Sequence, residues 1–247
     1  MREEKYLSID ERHRLIRRMH NEALARDPGL RGYMLSVYSY MGLGVLLTAA
    51  VSISVAANDR LLETVSSLSL LLLIALLGLG LLSGRIVTRS SMAVVQLCFW
   101  GYATLWGLLL APLLPAFAEI DPLLIPRAFL ITAATFAGMS LYSYTTRRNL
   151  GPLGSFLVMA ALGLLVALLL NSLIFQDGLA GFLISTTVVL VFAFLTAAET
   201  QAIRKLYNAR DSSGLRERKA IHGAFSLYGS FIVLFIHILN ILSLSRM

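Results

Sequence analysis

Glu199 is the residue best placed to do chemistry in this chain of 247 residues. It closes the apolar stretch 189–207 within Thr196-Ala197-Ala198-Glu199-Thr200-Gln201-Ala202-Ile203-Arg204-Lys205, and it is the one acid that falls inside a hydrophobic segment. A carboxyl at mid-bilayer costs roughly 2.5 to 3.5 kcal/mol and less near the interface, so it needs a partner or water. It reads as a proton or cation site, or as one half of a structural ion pair with Arg85, Arg89 or Arg204. A second set of candidates is His222, Ser226, Ser230, His237 and Asn240, whose steps of 4, 4, 7 and 3 keep one helical face. Such a stripe faces protein or water rather than lipid. It serves interhelical hydrogen bonds, worth ~0.6 kcal/mol per pair on average, or it lines a hydrated path or closed pore. His237, two turns beyond Ser230, is either a neutral ring bonded to a neighbouring helix or, if wetted, a titrating group with an ordinary pKa of about 6.5.

Catalytic signatures are missing. The sequence holds no His-Glu-x-x-His, no Gly-x-Ser-x-Gly and no Gly-x4-Gly-Lys phosphate loop. Ser230 and His237 lie about two turns apart on one helix, too far for a nucleophile and its base. The single cysteine, Cys98, has no intrachain partner, and no Cys/His spacing suggests a metal site. The expectation is a protein that is not an enzyme and carries no cofactor.

The elements that must position these residues are membrane helices. Hydrophobic residues make up 57% of the chain and charged residues 14%, with a mean hydropathy of +0.75, where a soluble domain carries about a quarter charged. The segments 33–57, 65–82, 92–114, 128–144, 153–175, 179–198 and 221–244 each approach the length needed to cross ~30 Å of hydrocarbon. None alternates with period two, so none is a spanning strand. The expected fold is therefore an all-α integral membrane protein with seven transmembrane helices over 33–244, preceded by a charged tail over 1–32. The tail lacks an apolar core, so the first span is expected to serve as the insertion signal. Eighteen of the 21 Lys and Arg fall in the tail and in alternate loops, the others being Arg60, Arg127 and Arg246. That bias places the N-terminus in the cytoplasm of a multi-pass protein of the inner (plasma) membrane. It also accounts for the net charge of +7 without any nucleic-acid partner. The lipid bilayer is the expected environment.

Smaller signals fill in the ends and loops. Ser8-Ile9-Asp10-Glu11 matches a capping box, and Pro28-Gly29 supplies a stop, so a short helix is expected over 9–26, solvated or resting on anionic headgroups. Gly42 and Gly44, and Gly80 and Gly84, read as packing positions. Trp100, Tyr102 and Trp106 read as packing aromatics. Asp59, Glu63, Glu119, Asp121 and Asp177 form a mildly acidic outer mouth. Arg85 and Arg89, after the second span, are interfacial anchors or groups that reach back to a carboxylate.

Several blocks together resemble the Bax inhibitor-1 family. They are Gly42-Leu43 with Thr48-Ala49; Ala128-Phe129-Leu130-Ile131-Thr132-Ala133-Ala134-Thr135-Phe136; Ser140-Leu141-Tyr142-Ser143-Tyr144-Thr145-Thr146-Arg147-Arg148-Asn149-Leu150; Gly154-Ser155-Phe156-Leu157; the acid-Thr-Gln-x-Ile ending of 192–203; and Leu227-Tyr228-Gly229-Ser230-Phe231-Ile232-Val233-Leu234-Phe235. They occur in the expected order over 33–244.

The resemblance implies that the seventh helix is central, with helices one to six around it. It implies a pair of aspartates at positions 199 and 230 that share a proton and act as a pH-responsive plug in a calcium leak path. It also implies an arginine after the second span that latches one of them, Arg85 or Arg89 here. This chain departs from that pattern, because position 199 is a glutamate and position 230 a serine that cannot ionise. Paired carboxylates titrate together, whereas a lone Glu199 titrates alone, and it would hold a divalent cation more weakly. Ser230 can still hydrogen-bond Glu199. The leading expectation is a pH-responsive cation leak, calcium being the implied ion, gated around Glu199 with Ser230, Arg85, Arg89 and His237, and with Glu199 the sole candidate for a weak metal contact. The alternative is a non-conducting regulator of a membrane-bound protease or of a membrane stress response, in which the charged tail carries function.

Overall fold

The computed structural model describes residues 27–146, 148–244 and 246, and every regular element among them is helical. The helix expected over 9–26 lies outside the described residues. In chain order the helices are α1 (Pro28–Ala56), α2 (Asp59–Ser67), α3 (Ser69–Arg89), α4 (Met92–Leu110), α5 (Leu113–Ile120), α6 (Leu124–Thr145), α7 (Gly151–Leu170, extended by a wider turn over Asn171–Phe175), α8 (Gly178–Leu206) and α9 (Ser213–Leu244). Seven of them, all but α2 and α5, are long and apolar enough to cross a membrane. They correspond one to one with the seven expected spans.

The helices overrun the apolar runs because hydrocarbon length and helix length are different quantities. A helix continues through the headgroup layer until capping or turn chemistry stops it. At the start of α1 the Asp27 carboxylate accepts from Gly29 N–H at 2.7 Å with Pro28 following. At α8 the Asp177 carboxylate accepts from Leu179 and Ala180 N–H. The second span begins at Ser69 rather than 65, because residues up to Ser67 form α2, capped by Asn58 accepting from Leu61 N–H at 3.2 Å. It runs on to Arg89. The last helix begins at Ser213, eight residues before the expected start, so residues assigned to a loop belong to it.

The most buried span is α9. In its most apolar window 61% of residues are buried inside the protein, against 6 to 33% for the other six spans. It packs against α8, α1, α6, α4 and α3, while α7 lies against α8. Small residues bring the helices close. A Cβ on Gly107 of α4 would sit 2.7 Å from Val51 Cβ and 2.9 Å from the Thr48 carbonyl of α1, and one on Gly44 would meet Phe99 at 3.0 Å. Gly42, by contrast, faces open space. Hydrogen bonds knit the same seam: the Tyr228 hydroxyl lies 2.6 Å from Thr48 Oγ1, Thr48 Oγ1 donates to the Ala103 carbonyl at 2.9 Å, and Ser52 Oγ donates to the Gly107 carbonyl at 2.8 Å.

Candidate functional site around Glu199

Glu199 sits seven residues before the end of α8, so the rise of ~1.5 Å per residue puts it on the order of 10 Å inside that helix end. This end carries Arg204 and Lys205, and the neighbouring ends carry Arg85, Arg89, Arg216 and Arg218; together they form the basic face of the protein. The carboxyl turns toward α9. Ser226 Oγ donates to Oε1 at 2.6 Å and Ser230 Oγ donates to Oε2 at 2.7 Å. The two serines stand one turn apart on α9, so their hydroxyls bracket the carboxyl and clasp α8 to α9. Both bonds have the short length of hydroxyl-to-carboxylate contacts.

Glu199 is only partly buried, because it borders a cleft of about 400 Å³. The walls come from four helices: Gly80 and Ser83 of α3, Tyr102 and Trp106 of α4, Phe192 and Leu195 of α8, and the His222 to Val233 face of α9. Glu199 is the one acid in this lining, which holds no Lys or Arg. His222 and Tyr102 are its other titratable groups. Trp106 Nε1 and His222 Nδ1 are buried polar atoms without a protein partner, and both belong to residues of this lining.

The remaining sequence candidates divide. Ser230 meets Glu199 as its spacing allowed. Arg85 and Arg89 lie exposed on the last turns of α3, outside the lining of the cleft. Arg204 is engaged elsewhere: Nη1 donates to the Ser143 carbonyl at 3.3 Å and the guanidinium lies 4.3 Å from the Tyr144 ring centroid. The partners seen at the Glu199 carboxyl are the two serine hydroxyls, whereas ion pairs join Asp121 to Arg127 and Arg246, and Asp211 to Lys219. His237 is buried and its Nδ1 lies 3.2 Å from Ser185 Oγ of α8, seven residues past Ser230 and away from the carboxyl. The polar stripe of α9 is thus broken into two clusters. Between them the lining of the cleft ends at Val233, and Leu234 of α9 and Val188 of α8 are fully buried.

Ser226, named in the polar stripe, is the other half of the clasp. One feature of this region was not singled out in the sequence. Glu217, assigned to a loop, lies on the early turns of α9, where its Oε1 accepts from the Tyr40 hydroxyl at 2.8 Å and from Gln96 Nε2 at 3.4 Å. Steps of 4, 4 and 3 through Ile221, Phe225 and Tyr228 place it on the buried face, and they would have extended the helix upstream. At the opposite face the acidic mouth is partly neutralised. Asp121 is held below its ordinary pKa by the Leu123 backbone N–H and then by the charges of Arg127 and Arg246.

Comparison with known proteins places this architecture. The model of the family described as "Inhibitor of apoptosis-promoting Bax1" matches residues 30–247. The chain is 36% identical over 230 residues to an uncharacterised protein of Deinococcus radiodurans, covering 92% of this chain and 98% of that one. It is 36% identical over 219 residues to the inner membrane protein YbhL of Escherichia coli, covering 86% and 92%. An uncharacterised protein of Rickettsia prowazekii is 33% identical over 222 residues, covering 89% and 92%.

Proposed function

The chain belongs to the Bax inhibitor-1 family, and from the site it carries we propose that it is a pH-responsive cation leak pathway, with calcium the permeant ion and Glu199 the gate. The protein would act without catalysis and without a resident cofactor, in an inner membrane, with its basic face toward the cytoplasm as the distribution of Lys and Arg favours. One observation carries this reading: the intramembrane carboxyl is held between two serines of α9 and borders a cleft whose lining contains no cation of its own. A group so placed presents negative charge to an entering cation while its bonds hold α8 against α9.

Protonation changes both properties at once. The carboxylate accepts from two hydroxyls; the acid puts a proton on one of those oxygens, which perturbs that contact, and without the charge both bonds fall to about half their strength. The other titratable groups on the cleft are His222 of α9 and Tyr102 of α4; α3 and α8 add none, and no α6 or α7 residue belongs to its lining. The barrier is the apolar packing beyond Val233, which closes the way from the cleft to the opposite face. Movement of α9 against α8 is the step that would open it.

The test is calcium entry into proteoliposomes loaded with an indicator, for wild type and Glu199→Gln. Glutamine keeps the shape and removes the charge and the proton. Wild type is expected to leak with a rate that depends on pH, and Glu199→Gln to lose that dependence. Equal flux for the two proteins at every pH, or flux no greater than that of empty vesicles, would remove Glu199 from any conduit.

A further inference from the structure

We propose that the Glu199 cleft is a binding site for a lipophilic ammonium cation that enters sideways from the bilayer, between α3 and α8. The inference rests on the same reading of Glu199 as a cation-accepting carboxyl, but it needs no conduction.

Three observations carry it. The first is the arrangement of the walls. The helices around the cleft pack as α3 on α4 and on α9, α4 on α9 and α9 on α8, whereas α3 and α8 are not a packed pair, which leaves a lateral gap between them. On that side α3 presents Gly80 and Ser83 to the cleft, and α3 is a lipid-facing span, with 6% of its most apolar window buried inside the protein. The mouth is therefore bordered by acyl chains, and what passes through it must carry apolar surface. Gly80 keeps this wall low: a Cβ there would come no nearer than 3.7 Å to Tyr102.

The second is the chemistry inside. Tyr102 and Phe225 stack with centroids 4.4 Å apart, and Trp106 meets Tyr102 edge-on at 6.4 Å, so three aromatic rings cluster in the same lining as one carboxylate. Aromatic rings attract ammonium ions at their faces within ~6 Å, and the attraction grows when water is excluded. A carboxylate beside such rings, with no Lys or Arg in the lining to compete, selects a cation over a neutral or anionic amphiphile. The lining is not built to hold a resident metal ion, as distinct from letting one pass. Calcium seeks roughly six to eight oxygen ligands, and no cluster of three or more His, Cys, Asp or Glu occurs among the described residues.

The third is size. A cleft of about 400 Å³ falls within the ~300 to 1,000 Å³ range typical of small-molecule sites. It accommodates a substituted ammonium head together with the first methylenes of its chain, and the rest of the chain would run out between α3 and α8.

The probe is a brominated alkyltrimethylammonium, whose charge does not depend on pH and whose bromine quenches tryptophan at short range. The chain holds two tryptophans, Trp100 and Trp106, and only Trp106 lines the cleft. The full-length Trp100→Phe protein in a non-ionic detergent therefore reports on the site, and a brominated alcohol of the same chain length controls for partition into the micelle. Saturable quenching by the ammonium at concentrations about tenfold below those needed with the alcohol is expected. Glu199→Gln is expected to weaken it about tenfold, and so is Ser83→Leu, which keeps the carboxyl and narrows the mouth. Should Glu199→Gln fail to fold, Ser83→Leu decides alone. Equal quenching by ammonium and alcohol would overturn the inference, as would unchanged ammonium binding in a folded Glu199→Gln protein or, failing that variant, in Ser83→Leu. The conduit is scored separately: a Glu199→Gln protein that loses flux but binds the ammonium unchanged overturns this inference alone, whereas one that loses ammonium binding but keeps wild-type flux overturns the conduit alone.

Discussion

Replacing Ser230 by aspartate tests how the site titrates. Ser230 Oγ lies 2.7 Å from Glu199 Oε2, so an aspartate there brings two carboxyl centres to about 4 Å. Two unit charges at that distance interact by about 4 kcal/mol at an effective dielectric constant of 20. At about 1.4 kcal/mol per pH unit, the two protonation steps of the pair separate by about three pH units. Wild type has one carboxyl and should show one single-proton step. Ser230→Asp should show two separated steps, or one broadened curve where the second falls outside the stable range. The shared site should also gain affinity for divalent cations, because the number of carboxylates sets the strength of an oxygen site. The assay is proteoliposome calcium flux against pH, paired with infrared difference spectra of the carboxyl band over the same range. A Ser230→Asp protein that folds and gives the wild-type profile in both readouts would refute the argument, because it would mean that position 230 does not face the Glu199 carboxyl.

Other expectations follow from the same geometry. Ser226→Ala and Ser230→Ala each remove one donor to Glu199 and should destabilise the protein by about 1 to 2 kcal/mol, with a coupling to Glu199→Gln in a double-mutant cycle, measured by detergent-induced unfolding; exposed Ser66→Ala should cost nothing measurable. Gly107→Ala must push Val51 Cβ from 2.7 Å and the Thr48 carbonyl from 2.9 Å, so a loss of about 1 to 3 kcal/mol is expected in the same assay, whereas Gly42→Ala meets nothing within 4 Å and should be silent. Asp121 has a folded pKa below its ordinary 3.8, so its contribution is fully present above that value and is lost as the pH falls through the lowered one. Asp121→Asn should therefore be less stable than wild type near neutrality and converge with it in acid, read from thermal unfolding as a function of pH.

The seven spans were legible because a run of apolar residues long enough to cross the bilayer has few alternatives, and all seven appear. Their ends were not legible. The apolar run of the second span stops before Arg85, but its helix runs on to Arg89, and the polar start of α9 looks like loop until Glu217 is seen to share a face with Ile221, Phe225 and Tyr228. The approach of Glu199 to Ser230 could be anticipated because both sites lie in the half of their expected spans, 179–198 with its polar extension and 221–244, nearest the basic residues. The choice of hydroxyls over guanidinium groups could not, since Arg204 is as close in sequence and only tertiary packing sends it to Ser143 and Tyr144. Tyr102 and Trp106 look the same in sequence whether they fill a core or line a cleft. The difference lies in the space between α3 and α8, to which no periodicity within one helix refers. The stripe of α9 shows the limit of facial arguments: His237 keeps the face of Ser230, yet it is buried against Ser185 instead of continuing a path.

The most direct measurement concerns who can reach position 199 and from which side. Cys98 is the sole cysteine, so Cys98→Ala with Glu199→Cys gives a chain with one thiol at the gate. A membrane-impermeant cationic methanethiosulfonate reagent, applied separately to oriented vesicles from the basic and the acidic face, then reads access to the cleft. Modification from the basic face alone is expected, with the acidic face blocked by the packing beyond Val233. A thiol that resists the reagent from both sides, or that reacts only from the acidic face, would contradict the cation-accessible cleft on which the proposed gate depends.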